Sequence, residues 1–303
     1  MKRWLIFVRE RFDPLSHAAM IALFIVAHYV AAATIAGLSG PRALVDGAWP
    51  AHAFVAVGVT AFFFKLRLYD EIKDYELDCT INPSRPLVRG LVTHGDLHRG
   101  IAVCIAIELV AFGLHGSAGL ISILCAVGYS LLMYKEFFIR ERIRPYLTTY
   151  AVTHTVVCAM LSLALFALLL DTKPWELGRE PWLFALACWC LFNVFEFGRK
   201  TFTSAEEREG VESYSKIWGR VGAVLLVLSQ AAIATWALLS SFAAGVPGIA
   251  PAMVGMTLTL VLTGVAYRVT DRPPWGSVYR GMSSFYIVLV FSSVVILGTI
   301  TLH

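Results

Sequence analysis

Nine apolar stretches, near residues 16–38, 50–69, 96–115, 117–134, 145–170, 181–198, 217–240, 245–267 and 279–302, constrain this chain more than any other feature. Each is long enough to cross a hydrocarbon core of about 30 Å. Lipid offers no water to backbone polar groups, so spans of this kind must satisfy them internally as helices. Composition agrees: 58% of the 303 residues are hydrophobic and 15% are charged, whereas soluble domains carry about 25% charged residues. No stretch between the segments is long enough to bury a core of its own. The expected architecture is therefore one domain, 1–303, folded as an all-α integral membrane protein with nine transmembrane helices. Residues 1–15 are expected to form an interfacial helix anchored by Trp4 and Phe7. Arg9, Glu10 and Arg11 interrupt the apolar run that a signal peptide would need.

Lys and Arg in the loops set the orientation. With the N-terminus in the cytoplasm, 22 of the 25 Lys and Arg residues fall inside, and only Arg42, Lys173 and Arg179 fall outside. The C-terminus is then outside, and the second and sixth segments both run toward the cytoplasm. The expected location is multi-pass in the cell inner membrane, with the active site on the cytoplasmic side. Membrane lipids are expected partners, and nucleic acid is not.

The second segment ends in LYDEIKDYELDCTINPSRPLVRG, residues 68–90. Asp70, Asp74 and Asp78 recur at i, i+4 and i+8, and Glu71, Asp74 and Asp78 at i, i+3 and i+7, so a single helix would carry all four on one face. Like charges so crowded call for a cation. Hard oxygen ligands of this kind suit Mg²⁺, which takes one or two carboxylates and fills its remaining positions with water and substrate phosphates. A solvated acidic helix end is the plainer alternative. Asn82, Pro83, Arg85, Pro86, Arg89 and Gly90 follow as a tight basic turn suited to a phosphate.

This stretch resembles the UbiA superfamily of intramembrane prenyltransferases, whose first signature reads N-D-x-x-D-x-x-x-D and is followed by N-x-P-x-R-P. Aligned on Asn82, Pro83, Arg85 and Pro86, Asp78 takes the last aspartate, Asp74 the middle one, Glu71 the first, and Asp70 the asparagine. The sixth segment ends where the superfamily has a second aspartate-rich motif. Asn193, Glu196 and Lys200 share a helical face there, and Gly210, Val211, Ser213, Tyr214, Ser215 and Gly219 resemble the turn G-x-x-T-L-P-x-x-x-G that follows. The chain departs from the family in having no Asp between Asp171 and Asp271. A second metal site would have to be built from Asn193, Glu196, Glu206, Glu207 or Glu209. The alternative for Glu196 is an ion pair with Arg199 or Lys200 that closes the helix end. On the loop between, Gly128, Tyr129, Ser130 and Lys135 resemble G-Y-x-Y-S-x-P-P-L-K without its prolines. The arginines at 140, 142 and 144 read equally well as topology signals.

The resemblance implies Mg²⁺-dependent transfer of an isoprenyl group from an isoprenyl diphosphate to an aromatic or lipid-like acceptor within the membrane. Asp70, Glu71, Asp74, Asp78 and Glu196 would be the metal ligands. Asp74, Asp78, Glu196 and Lys200 would be the catalytic residues, while Arg85, Lys135, Asn193 and Arg199 would hold the diphosphate. A terpene cyclase on the same scaffold is the nearer alternative. The further one is a transporter or lipid-binding protein without chemistry, against which the end-on placement of the carboxylates counts.

Other polar residues lie within apolar segments. Glu108 is twelve residues beyond Asp96, roughly 18 Å in, too deep for the same diphosphate, and suits the acceptor, the cavity wall or a buried pair. His28 and His154 read as satisfied bundle residues. Phe62, Phe63, Phe64 and Tyr69, with Phe192, Phe195 and Phe197, flank the two motifs and could face a carbocation, though lipid contact is the plainer expectation. The six cysteines form neither a disulfide framework nor a zinc spacing.

Overall fold

The computed structural model describes residues 2–45 and 48–302. Among them are thirteen α-helices and no strand. Nine are long: α2 (Pro14–Ile35), α4 (Trp49–Lys73), α6 (His94–Gly113), α7 (Gly116–Tyr134), α9 (Leu147–Leu169), α10 (Arg179–Arg199), α11 (Tyr214–Leu239), α12 (Ile249–Thr270) and α13 (Pro273–Thr301). These are the nine segments expected from hydropathy, and the chain is an integral multi-pass membrane protein. The short ones are α1 (Lys2–Arg11), α3 (Arg42–Val45), α5 (Tyr75–Ile81) and α8 (Arg140–Ile143).

Eight of the long helices are apolar enough to cross a membrane on composition alone, and α6 is the exception. It carries Asp96, Arg99 and Glu108. The deepest of these, Glu108, is fully buried and paired with Lys65 of α4 at 2.5 Å, so the two charges neutralise each other inside the bundle rather than face lipid. Glu108 thus takes the buried-pair alternative, with Lys65 as its partner.

Each long helix packs on the next, and α13 returns to α2 to close the ring. Contacts of α2 with α9 and of α10 with α13 fill the interior. Glycine permits the closest of these approaches: a Cβ on Gly198 of α10 would overlap the side chain of Ser283 on α13. At the centre, Phe24, Phe63, Phe192 and Phe291, from α2, α4, α10 and α13, form an aromatic node. Phe24 lies 5.7 Å from Phe63 and 5.8 Å from Phe291 in edge contacts, and Phe63 stacks on Phe192 at 5.9 Å. Phe62 and Phe197 are buried elsewhere, and Phe64 packs on Trp4, Phe7 and Phe12.

The α4–α6, α7–α9, α10–α11 and α12–α13 connections come together with α1 at one end of the ring. Arg144 reaches the carbonyl of Lys73 at 3.0 Å, and Ser204 reaches Asp271 at 2.8 Å. The helix α1 is more than an interfacial anchor. Phe7 is fully buried, Arg3 pairs with Asp96 at 2.8 Å, and Arg11 pairs with Glu71.

Candidate active site

The acidic stretch is not one continuous helix. Asp74 stands at the junction between α4 and α5 with φ −93° and ψ 1°. Its N–H still bonds to the Asp70 carbonyl and its carbonyl still accepts from Asp78 N–H, yet the bend separates the four acids into different surroundings.

Asp70 is half-exposed, with Arg67 at 3.4 Å and Lys73 at 3.6 Å. Glu71 is buried against Arg11 and Arg85, the latter at 3.4 Å, and its second oxygen has no hydrogen-bond partner. Asp78 is buried, accepting from Asn82 at 2.8 Å, with Arg85 Nε at 3.6 Å. Arg85 thus ties the basic turn back to the acids. Asp74 is the outlier, since among the described residues no donor contacts its carboxylate. Burial, followed by the charges of Asp70 and Asp78, holds its pKa above the usual carboxylate value.

The α7–α9 loop supplies residues the motif comparison does not mark. Glu136 is buried and accepts from Arg144 at 2.6 Å and from Tyr150 at 3.2 Å, with Arg140 at 3.3 Å. Lys73 donates to the Tyr150 hydroxyl at 3.2 Å, which links this loop to Asp70. Glu136, Phe137 and Phe138 all have left-handed backbones, with φ of 48°, 56° and 58°. Side chains with a Cβ pay roughly 1–2 kcal/mol each in that region, and the bonds to the Glu136 carboxylate hold the turn in place. Lys135, expected at the diphosphate, instead lies over the ring of Tyr134 at 5.1 Å.

At the end of α10, Glu196 is bound by Arg199 at 2.6 Å and by Lys200 at 3.0 Å. That is the ion-pair alternative considered for it. The helices α4 and α10 touch through Phe63 and Phe192, whose rings stack at 5.9 Å, and both run on to the charge-rich end, so the two motifs face each other there. Asn193 is buried deeper, bonded to Thr155 and, at 3.0 Å, to Gln230. The indole of Trp189 joins them through Thr155 at 3.1 Å. Asn193 therefore belongs to a polar cluster inside the bundle, away from the arginines it was expected to assist.

The remaining acids near the second motif are engaged locally. Glu206 accepts from Arg280 at 2.9 Å and from Thr203 at 2.8 Å, and the Arg280 bond holds its pKa down to about 2. Glu207 accepts from Ser213 and Ser215, each at 2.6 Å. Gly210 and Gly219 have φ of +73° and +66°, which explains glycine at both ends of this turn.

Among the described residues, no three His, Cys, Asp or Glu side chains are gathered as a ready metal site. The first motif nonetheless offers a donor set that fits Mg²⁺ in its usual reduced form. Asp74 is an unpartnered carboxylate beside the weakly held Asp70, and phosphate oxygens and water complete such a shell. Glu196 fits less well, because a guanidinium and an ammonium group already occupy its two oxygens, while Glu71 has both arginines on one oxygen and keeps the other without a donor.

No protein-family model and no curated protein sequence matches this chain. Solved structures do. A structure of digeranylgeranylglyceryl phosphate synthase matches over 99% of both chains, with a TM-score of 0.63 at 13% identity. The apo structure of a UbiA homologue from Aeropyrum pernix K1 matches over 90% of this chain and 97% of the other, with a TM-score of 0.58 at 17% identity. At such identities the likeness is one of fold, and it runs from end to end. The chain has the UbiA fold.

Proposed function

We propose that the chain ionises an isoprenyl diphosphate and transfers the isoprenyl group to an acceptor within the membrane. One observation carries this reading: the acids ending α4 and the cations ending α10 meet at one end of the ring, above an aromatic interior. Phe63 lies seven residues before Asp70 and Phe192 seven before Arg199, so the stacked pair is about 10 Å further in.

The diphosphate lies between the motifs. Arg199, Lys200 and Arg85 take its charge as the carbon–oxygen bond breaks, and Arg144 and Lys73 stand behind the acidic side. Mg²⁺ held by Asp70 and Asp74, with Asp78 behind them, would supply further charge neutralisation on the leaving group. The isoprenoid tail enters the bundle, where Phe63 and Phe192 stabilise the allylic cation with their π faces and exclude water. The polar cluster of Thr155, Asn193 and Gln230 sits inside the bundle and suits the polar group of an acceptor. On the orientation read from the Lys and Arg count, this chemistry lies on the cytoplasmic side, and we assign the chain to the inner membrane. The aromatic node also suits a cation that closes on its own double bonds, which would make the chain a cyclase.

The test is diphosphate release by protein reconstituted in lipid, using allylic diphosphates of increasing length with and without Mg²⁺, beside Asp74→Asn and Asp78→Asn. Mg²⁺-dependent release lost in both variants supports the reading. Release that needs no added acceptor and gives cyclic hydrocarbon favours the cyclase, and no release or binding at any length removes both.

A further inference from the structure

One cavity takes no part in the site described above. Between α1, α4 and α6, on the flank of the bundle, is a groove of about 830 Å³. Its walls are apolar: Trp4 comes from α1, Phe12 from the residue that follows it, Phe64 from α4 and Ile107 from α6. Val57 and Val103 on its rim are 47% and 58% exposed, so it opens sideways to lipid. Gly100 forms part of its floor, where a Cβ would come within 3.2 Å of Trp4 and 3.0 Å of Leu68.

The two ends of the groove differ. Arg3, Asp96 and Arg99 line it at the charge-rich end of the bundle. Asp96 is satisfied by Arg3 at 2.8 Å and by Thr93, whose N–H and hydroxyl donate at 3.0 and 2.9 Å. Arg99 is exposed and has no carboxylate partner among the described residues, so this end carries a net positive charge. From Asp96 to Ile107 the α6 wall rises about 16 Å, close to the depth of one hydrocarbon leaflet, half of about 30 Å.

We propose that the groove binds an anionic phospholipid from the leaflet at the charge-rich end. An acyl chain lies along Phe64, Gly100 and Ile107, and the phosphate rests on Arg99 and the free donors of Arg3. A zwitterionic lipid fits the walls equally well but gains less from the mouth. A bound lipid also steadies α1, which forms one wall and carries Arg11 to Glu71. The proposal is independent of the chemistry at the motifs.

The test is native mass spectrometry of the full chain released from bilayers of mixed phosphatidylglycerol and phosphatidylcholine, comparing wild type with Arg99→Gln and Thr60→Trp. Thr60 lines the groove and is exposed, so a tryptophan there fills space without entering the core. Wild type should retain phosphatidylglycerol preferentially. Arg99→Gln should lower that preference about fivefold while leaving phosphatidylcholine retention unchanged, and Thr60→Trp should lower retention of both. Equal retention of the two lipids by wild type, or an unchanged preference in Arg99→Gln, overturns the proposal. If Thr60→Trp does not fold, as judged by its thermal transition, the Arg99→Gln comparison decides alone.

Discussion

At the end of α4, Asp74 has no donor on its carboxylate and Asp70 has cations only at 3.4 and 3.6 Å. At the end of α10, Glu196 is gripped at 2.6 and 3.0 Å, and Glu206 and Glu207 are bound within their own loop. The two regions draw on similar side chains but differ in what is left over. One keeps unspent negative charge, while the other spends its acids on holding two cations and a turn in place. A diphosphate with one metal needs such a pair of surfaces, one giving oxygen ligands and one giving N–H donors. The two charge-rich helix ends of this chain are thus unequal.

That inequality can be broken most sharply at Asp74. Asp74→Asn keeps the shape and removes the least compensated carboxylate, and diphosphate release should fall by about 10²–10³-fold. Glu196→Gln is the counterpart. If Glu196 serves only to orient Arg199 and Lys200, release falls by less than about tenfold and its Mg²⁺ dependence is unchanged. A loss as deep as that of Asp74→Asn, with a shifted Mg²⁺ requirement, would restore a second metal ligand and erase the contrast.

Arg11→Gln probes the boundary between the regions. It leaves buried Glu71 with Arg85 alone and should cost about 3 kcal/mol of stability, read as a lowered thermal midpoint. Arg89→Gln breaks an exposed pair with Glu10 and an exposed bond to the Ser84 carbonyl and should move the midpoint far less than Arg11→Gln does.

Acidity should move the two regions in opposite directions. Asp74 has a raised pKa, so it binds a proton more readily folded than unfolded. The repulsion it feels when ionised is relieved as pH falls through that raised value. Glu206 is held at about 2, so its bond to Arg280 is fully present above the unfolded value of about 4.3 and is lost as pH falls toward 2. Hydrogen-exchange protection, corrected for intrinsic rates, should therefore fall at residues 200–213 between pH 5 and pH 3 and hold or rise at residues 70–82. Parallel changes in both would contradict the assignment.

The sequence makes the helices and the first motif legible, because hydropathy and carboxylate spacing are local patterns. It also contains both alternatives for Glu196, and the ion pair is readable from Arg199 and Lys200 at i+3 and i+4. What it hides is the reach of distant side chains. Arg11 finds Glu71 across 60 residues, Arg144 finds Lys73 across 71, and Lys73 finds Tyr150 across 77. No periodicity links such positions. The bend at Asp74 escapes for a different reason, since the bonds from Asp74 N–H to Asp70 and from Asp78 N–H to Asp74 keep helical spacing through it. Asn193 and Lys135 share a face or a loop with the expected groups, and their own neighbours, Thr155, Gln230 and Tyr134, draw them elsewhere.

The tie between Arg11 and Glu71 has a practical consequence for anyone preparing this protein. The short helix α1 carries Arg11 and so is structural support for the acidic pocket, and a purification tag or fusion partner joined to that helix pulls on the pocket. The last turns of α13, where Gly298 packs against Val30 of α2, lie at the opposite end of the ring from both charged clusters. Affinity tags and fluorescent reporters belong there, and a preparation that is inactive with its label in front deserves a second attempt with the label behind.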